Sequence, residues 1–225
     1  MKNIDLSLLR RSDLFSGIEE KEISGMLSCL SAQSKRYEKS SYVMRFGEKV
    51  DSVGIVLSGN VNIITEDYWG NRNIIADIEP GMLFAESYAC VADIPLKVSI
   101  QAAKDCEILW MDVKKILTSC SSACEFHTRL IRNLVSALAA KNILMNEKLR
   151  FISQRTTRDK LLAYLSAESM RQRSSSFTIP FDRQQLADYL SVDRSAMSNE
   201  LSKMRREGIL QYNKNNFSLA DKGLI

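Results

Sequence analysis

The chain has 225 residues, 45% hydrophobic and 26% charged, the balance of a folded globular protein with room for one medium and one small domain. No apolar run approaches the roughly 20 residues a membrane span needs, and Met1-Lys2-Asn3-Ile4-Asp5 lacks the basic and apolar segments of a secretory leader, so a cytoplasmic protein with no membrane partner is expected. The formal net charge of +4 is unevenly placed: residues 1–150 carry 19 basic and 19 acidic groups and residues 151–225 carry 12 and 8, which directs the rear of the chain toward an anionic polymer.

Glycine and proline divide the chain. Seven of the nine glycines precede residue 82, and neither residue type occurs from Leu96 to Ile179. The front therefore reads as short strands with tight turns, the middle as helix. A helical segment is predicted over Glu19–Leu30, where Ile23, Met26, Leu27 and Leu30 share one face. Strands follow at Tyr42–Phe46, Val53–Leu57, Asn60–Ile64, Asn73–Ile78, Val98–Ala102 and Cys106–Met111. Turns separate them at Gly47, Ser58-Gly59, Trp69-Gly70-Asn71 and Pro80-Gly81. Many short strands at regular spacing predict a β-sandwich or jelly roll.

From Glu125 one long helix is predicted. Ile131, Leu134, Leu138, Lys141, Met145, Lys148 and Ile152 step by alternating threes and fours, a heptad-like seam interrupted by two lysines. Ile131, Leu134, Leu138 and Met145 are the expected dimer contacts; the competing reading is a helix packed only on the sandwich. The seam ends at Phe151-Ile152-Ser153, with Ser153 as the expected N-cap of a further helix. The expected division is 1–124 for a sensing domain, 125–152 for a dimerisation helix and 153–225 for a second domain.

The rear carries the most specific pattern. Asp182 caps a short helix from Arg183 to Leu190, Ser191-Val192 turns, and Asp193 caps a longer helix ending at Gly208. Leu186, Ala187, Leu190, Val192, Met197 and Leu201 supply the apolar contact between two helices at a steep angle, with small Ala187 allowing close approach. This predicts a helix-turn-helix. Ile209–Tyr212, a turn over Asn213–Asn216, and Phe217–Leu219 predict a β-hairpin wing.

The whole chain resembles the Crp/Fnr transcription regulators. The resemblance rests on Leu57-Ser58-Gly59-Asn60-Val61, on Pro80–Glu86, on Asp105–Leu109, on the long helix, and on Asp193–Leu201. It implies an α+β fold: an N-terminal cyclic-nucleotide-binding-type β-roll, a long dimerisation helix and a C-terminal winged helix-turn-helix. It also implies an effector held between roll and long helix, whose binding reorients the DNA-binding domains, and double-stranded DNA and RNA polymerase as partners. The chain departs from the family in three places. The cAMP-binding members end their phosphate cassette in Arg-Ser, where this chain has Leu96 and Lys97. The oxygen-sensing members cluster cysteines near the N-terminus, where this chain has only Cys29. The recognition helix ordinarily opens Arg-Glu with Arg four residues on; here these positions are Arg194, Ser195 and Asn199.

The expected DNA contacts are Arg183, Arg194, Ser195, Ser198, Asn199 and Lys203. The expected effector pocket joins Glu86, Ser87, Leu96 and Lys97 to Asn142 and Asn146, and its ligand is a small molecule other than cAMP. No resident cofactor or metal is expected. The five cysteines are odd in number and irregular in spacing, against a disulfide scaffold. The lone His127 reads as a solvated helical residue. Gly-rich phosphate loops, G-x-S-x-G and H-E-x-x-H are all missing, which disfavours an enzyme. Two other readings remain: a ligand-binding module without DNA activity, and a thiol switch using Cys120 and Cys124.

Overall fold

The computed structural model describes residues 4–69, 72–91, 93–118 and 125–220. The chain forms two compact units, one ending at Ala140 and one starting at Lys141. Cys120, Cys124 and the Gly70-Asn71 part of the expected turn lie outside the described residues.

The first unit opens with α1 (Leu6–Arg11), a 3-10 turn at Asp13–Phe15, and α2 (Glu20–Cys29). Asp5 caps α1 by accepting from the Ser7 and Leu8 amides, and Glu19 and Glu22 form a reciprocal capping box on α2. Eight strands follow: β1 (Gln33–Tyr37), β2 (Tyr42–Met44), β3 (Ser52–Ser58), β4 (Val61–Glu66), β5 (Arg72–Ile78), β6 (Leu83–Phe84), β7 (Ser99–Ala102) and β8 (Cys106–Asp112). Short helices α3 (Glu86–Ala89) and α4 (Val113–Leu117) follow β6 and β8. The strands make two four-stranded antiparallel sheets, ordered β1-β8-β3-β6 and β2-β7-β4-β5.

Alternation places two cores back to back. Val53, Ile55, Leu109 and Met111 point from β3 and β8 into a core shared with Leu9, Phe15, Ile23 and Leu27. Val56, Cys106 and Ile108 point the other way, into the space between the sheets, with Val61, Phe84 and Ile100. Both faces of β3 are therefore covered, which explains its near-continuous apolar run. Gly59, between β3 and β4, has φ +73°, and a Cβ there would overlap the Asp105 carbonyl oxygen. Only glycine fits that turn.

Helix α5 (Glu125–Ile152) runs 28 residues, about 40 Å at 1.5 Å per residue. Its first half belongs to the first unit, where Leu130, Leu134 and Ala137 enter the helix-side core. Asn133 Nδ2 donates to the carbonyls of Leu14 (3.0 Å) and Ser16 (2.8 Å). His127 corrects the sequence reading: it is buried, not solvated. Its Nε2 lies 2.8 Å from the Lys115 carbonyl, and because a carbonyl only accepts, Nε2 carries the proton.

The second unit contains the end of α5, α6 (Thr157–Gln172), β9 (Ser176–Thr178), α7 (Arg183–Leu190), α8 (Arg194–Arg206), β10 (Leu210–Asn213) and β11 (Asn216–Leu219). β10, β11 and β9 form a three-stranded antiparallel sheet in that order. The expected cap at Ser153 is also corrected. Ser153 donates its hydroxyl back to the Arg150 carbonyl at 3.3 Å, and Thr156 caps α6 by accepting from the Asp159 amide. The core gathers Phe151, Leu161, Leu165, Leu186, Leu190, Met197, Leu201 and Phe217. Phe151, Tyr164, Phe181 and Tyr189 form an aromatic cluster, with the Phe151 and Tyr164 rings edge to face at 5.6 Å.

Candidate DNA interface and effector site

The two helices of the expected motif are α7 and α8, capped as their sequence demands. Asp182 and Gln185 form a capping box on α7, and Asp193 accepts from the Ala196 amide at 2.7 Å to start α8. Between them Ser191 takes a left-handed conformation, φ +51°, and the chain turns sharply enough for Leu186, Ala187 and Leu190 to meet Met197 and Leu201. On α8, Met197, Leu201 and Met204 are buried. On the opposite side Ser195, Asn199, Ser202 and Arg206 form an exposed polar stripe at spacings of four, three and four. Lys203 is exposed beside that stripe and Arg194 opens the helix. Ser198 is half-buried, and its hydroxyl donates to the Arg194 carbonyl at 2.9 Å, which leaves it an acceptor only. The sequence reading missed Arg206; the period from Ser195 through Asn199 would have found it.

The remaining expected DNA residue, Arg183, stands at the start of α7 and is held by the wing. Its guanidinium lies 4.7 Å from the Tyr212 ring centre and 5.1 Å from that of Phe217. Burial pushes its pKa down from the ordinary guanidinium value. Lys214 occupies the tip between β10 and β11 with φ +53°, between Asn213, which is exposed, and Asn215, which is half-buried.

Helix α6 braces the motif from behind. Lys160 Nζ donates to the carbonyls of Leu190 and Ser191, each at 3.2 Å, and so caps the C-terminal end of α7. Arg158 reaches α8: its Nη1 lies 3.3 Å from Glu200 Oε1 and 3.2 Å from Glu207 Oε1, and its Nη2 also bonds Glu207. Those contacts hold the Glu207 carboxyl below the usual carboxylate range, the Arg158 hydrogen bond being the largest cause.

In the first unit Ala85 is left-handed, φ +65°, and launches α3 with Glu86 as its first residue. Glu86 is 3% exposed. Leu96 is 1% exposed, and its backbone is tied on both sides, its amide donating to the Glu48 carbonyl and its carbonyl accepting from the Gly47 amide. Ser87 and Lys97 face solvent, and the Lys97 amide donates to the Tyr88 hydroxyl at 3.4 Å. Asn142 and Asn146 lie in the second unit, exposed on α5, where Asn146 Nδ2 donates to Asn142 Oδ1 at 2.6 Å.

Two of the expected dimer contacts meet the core of their own unit, Leu138 in part. Leu134 is buried in the core of its own unit and is spent there. Beside it runs a second column, Val135, Asn142 and Leu149, with Val135 58% and Leu149 51% exposed. Combined with Ile131, Leu138, Met145 and Ile152, it gives a continuous pattern of fours and threes free of lysine. In heptad terms Val135, Asn142 and Leu149 are a positions and the other four are d positions.

A sensory roll followed in one chain by a long helix and a winged helix-turn-helix is the build of an effector-responsive, DNA-binding transcription regulator. Two family models match in that order: the cyclic nucleotide-binding domain over residues 34–122 and the Crp-like helix-turn-helix domain over residues 159–223. The chain belongs to the Crp/Fnr family of transcription regulators. Solved structures share the fold. One is a mutant of CooA from Carboxydothermus hydrogenoformans, at 21% identity and TM-score 0.55, covering 88% of this chain and 86% of that one. Another is the c-di-GMP responsive global regulator CLP from Xanthomonas campestris, at 17% identity and TM-score 0.55, covering 88% and 100%. A third is DNR from Pseudomonas aeruginosa, at 20% identity and TM-score 0.50, covering 99% and 96%. No curated protein matches the chain. Among the described residues, no helix is long and apolar enough to cross a membrane.

Proposed function

We propose that the protein is a homodimeric, cytoplasmic regulator that binds an inverted-repeat DNA site, contacts RNA polymerase, catalyses no reaction, and responds to a small effector other than cAMP. The observation that carries the DNA part is the two-sided α8, with Met197, Leu201 and Met204 inside and Ser195, Asn199, Ser202 and Arg206 outside. An α-helix fits the major groove, where Asn pairs best with adenine and Arg with guanine. With Asn199 in place of the family's Arg, the half-site is expected to be richer in A·T, and two half-sites fall about 34–36 Å apart. Selection from random DNA tests this. The expected result is an inverted repeat that shifts toward G at one position per half-site in Asn199→Arg. Recovery of the unmodified family consensus by the wild type overturns it.

The effector part rests on Leu96. The resemblance puts it where cAMP-binding members carry Arg, and a leucine offers no donor to a buried phosphate. Burying an unpaired phosphate costs several kcal/mol, against the roughly 8 kcal/mol of a micromolar complex. We propose that Glu86, Ser87, Leu96 and Lys97 with Asn142 and Asn146 contribute to a site for a different ligand. Calorimetry with millimolar cAMP is expected to show no saturable heat. A dissociation constant below about 100 μM that Glu86→Ala abolishes returns the protein to the cAMP-responsive branch.

A further inference from the structure

We propose that Asn142 sets the strand number and alignment of the paired α5 helices by meeting its own twin across the dimer axis. This rests on the homodimer reading above and gives Asn142 a role in addition to the ligand contact proposed for it. Along the pattern Ile131, Val135, Leu138, Asn142, Met145, Leu149 and Ile152, Asn142 is the one polar side chain. It occupies an a position at the centre, with three apolar members on each side. Met145 is 67% exposed and Val135 and Leu149 more than half exposed; Ile131 and Ile152 are half-buried, and Leu138 packs in part against the core of the first unit. The apolar layers by themselves are mixed: Val135 at a with Leu138 at d favours two strands, whereas Leu149 at a with Ile152 at d favours more, so the polar layer at Asn142 is what separates the alternatives.

Geometry then restricts where Asn142 can go. In a parallel pair in register, a positions face a positions, so the two amides meet. Each Nδ2 can donate to the other Oδ1. Asn146 Nδ2 already donates to Asn142 Oδ1 within the protomer, which orients the amide and leaves Oδ1 a second lone pair and Nδ2 its protons. An antiparallel pair sets a against d and buries the amide on an apolar partner. A stagger or a third strand leaves at least one amide unmatched. Each unmatched buried amide loses its hydrogen bond and keeps its desolvation cost. The polar layer thus weakens the intended pair somewhat and weakens every alternative more.

Sedimentation equilibrium on full-length wild type, Asn142→Val and the double variant Val135→Asp with Leu149→Asp tests this. The wild type is expected to be a dimer and the double variant a monomer. Asn142→Val is expected to dimerise with a dissociation constant lower by about tenfold, equivalent to ~1.4 kcal/mol, and to add species larger than a dimer. A dimeric wild type whose association is unchanged or weakened in Asn142→Val overturns the role of Asn142 and leaves the dimer intact. A monomeric wild type, or a double variant that stays dimeric, overturns the α5 interface itself.

Discussion

Tyr164 shows how a buried residue can oppose the fold it belongs to. Its ring packs among Phe151, Phe181 and Tyr189, but its hydroxyl is buried with no hydrogen-bond partner among the described residues. Burial, and then the charge of Glu168, push its pKa well above the ordinary phenol value. A folded-state pKa above the unfolded one means that the folded form holds the proton more tightly. Its contribution is complete below the unfolded pKa near 10 and is lost as pH rises beyond it. Tyr164→Phe keeps the ring and removes the orphan, so urea denaturation at neutral pH should show a gain of about 1 kcal/mol, with a shallower loss of stability above pH 10. A loss at neutral pH means that the hydroxyl has a partner after all. Residues of this kind are hidden from a sequence, as His127 was: a lone histidine on a polar helix looks solvated until the fold puts a carbonyl 2.8 Å away.

At the scale of elements, legibility followed local chemistry. The caps at Asp182 and Asp193 and the glycine after α8 were readable because capping is decided within three residues. The polar strand β1, Gln33–Tyr37, was not: its side chains are mostly exposed and it exists because β8 pairs with it. The seam on α5 was half readable. Leu134 and Val135 are neighbours, and only the core of the first unit decides which one turns inward. The brace from α6 was invisible as well, since Arg158 lies 42 and 49 positions from its carboxylate partners. Arg158→Gln should weaken specific DNA binding and lower the stability of the second unit only modestly, because the pair is partly exposed. The pH sign follows from Glu207, whose folded-state pKa is depressed. Its stabilising contribution is present above the ordinary carboxylate pKa and disappears as pH falls through the lower, folded value. Acid titration of wild type should therefore show a component that Arg158→Gln lacks; identical acid profiles overturn the brace.

On the scale of the whole molecule, one unbroken helix serves both units. α5 has Asn133 and Leu134 rooted in the first and Phe151 rooted in the second, with no glycine or proline between. A continuous helix advances by a fixed length and a fixed angle with every residue. Each inserted residue adds about 1.5 Å and about 100°. Seven residues added between Ala140 and Lys141 come within roughly 20° of two full turns of the helix, whereas two advance it by about 200°. Inserting a Leu-preserving heptad should leave the dimer and its DNA binding largely intact, while inserting two alanines should abolish both in sedimentation and gel-shift measurements. If the two insertions behave alike, the angular setting of α5 carries no information.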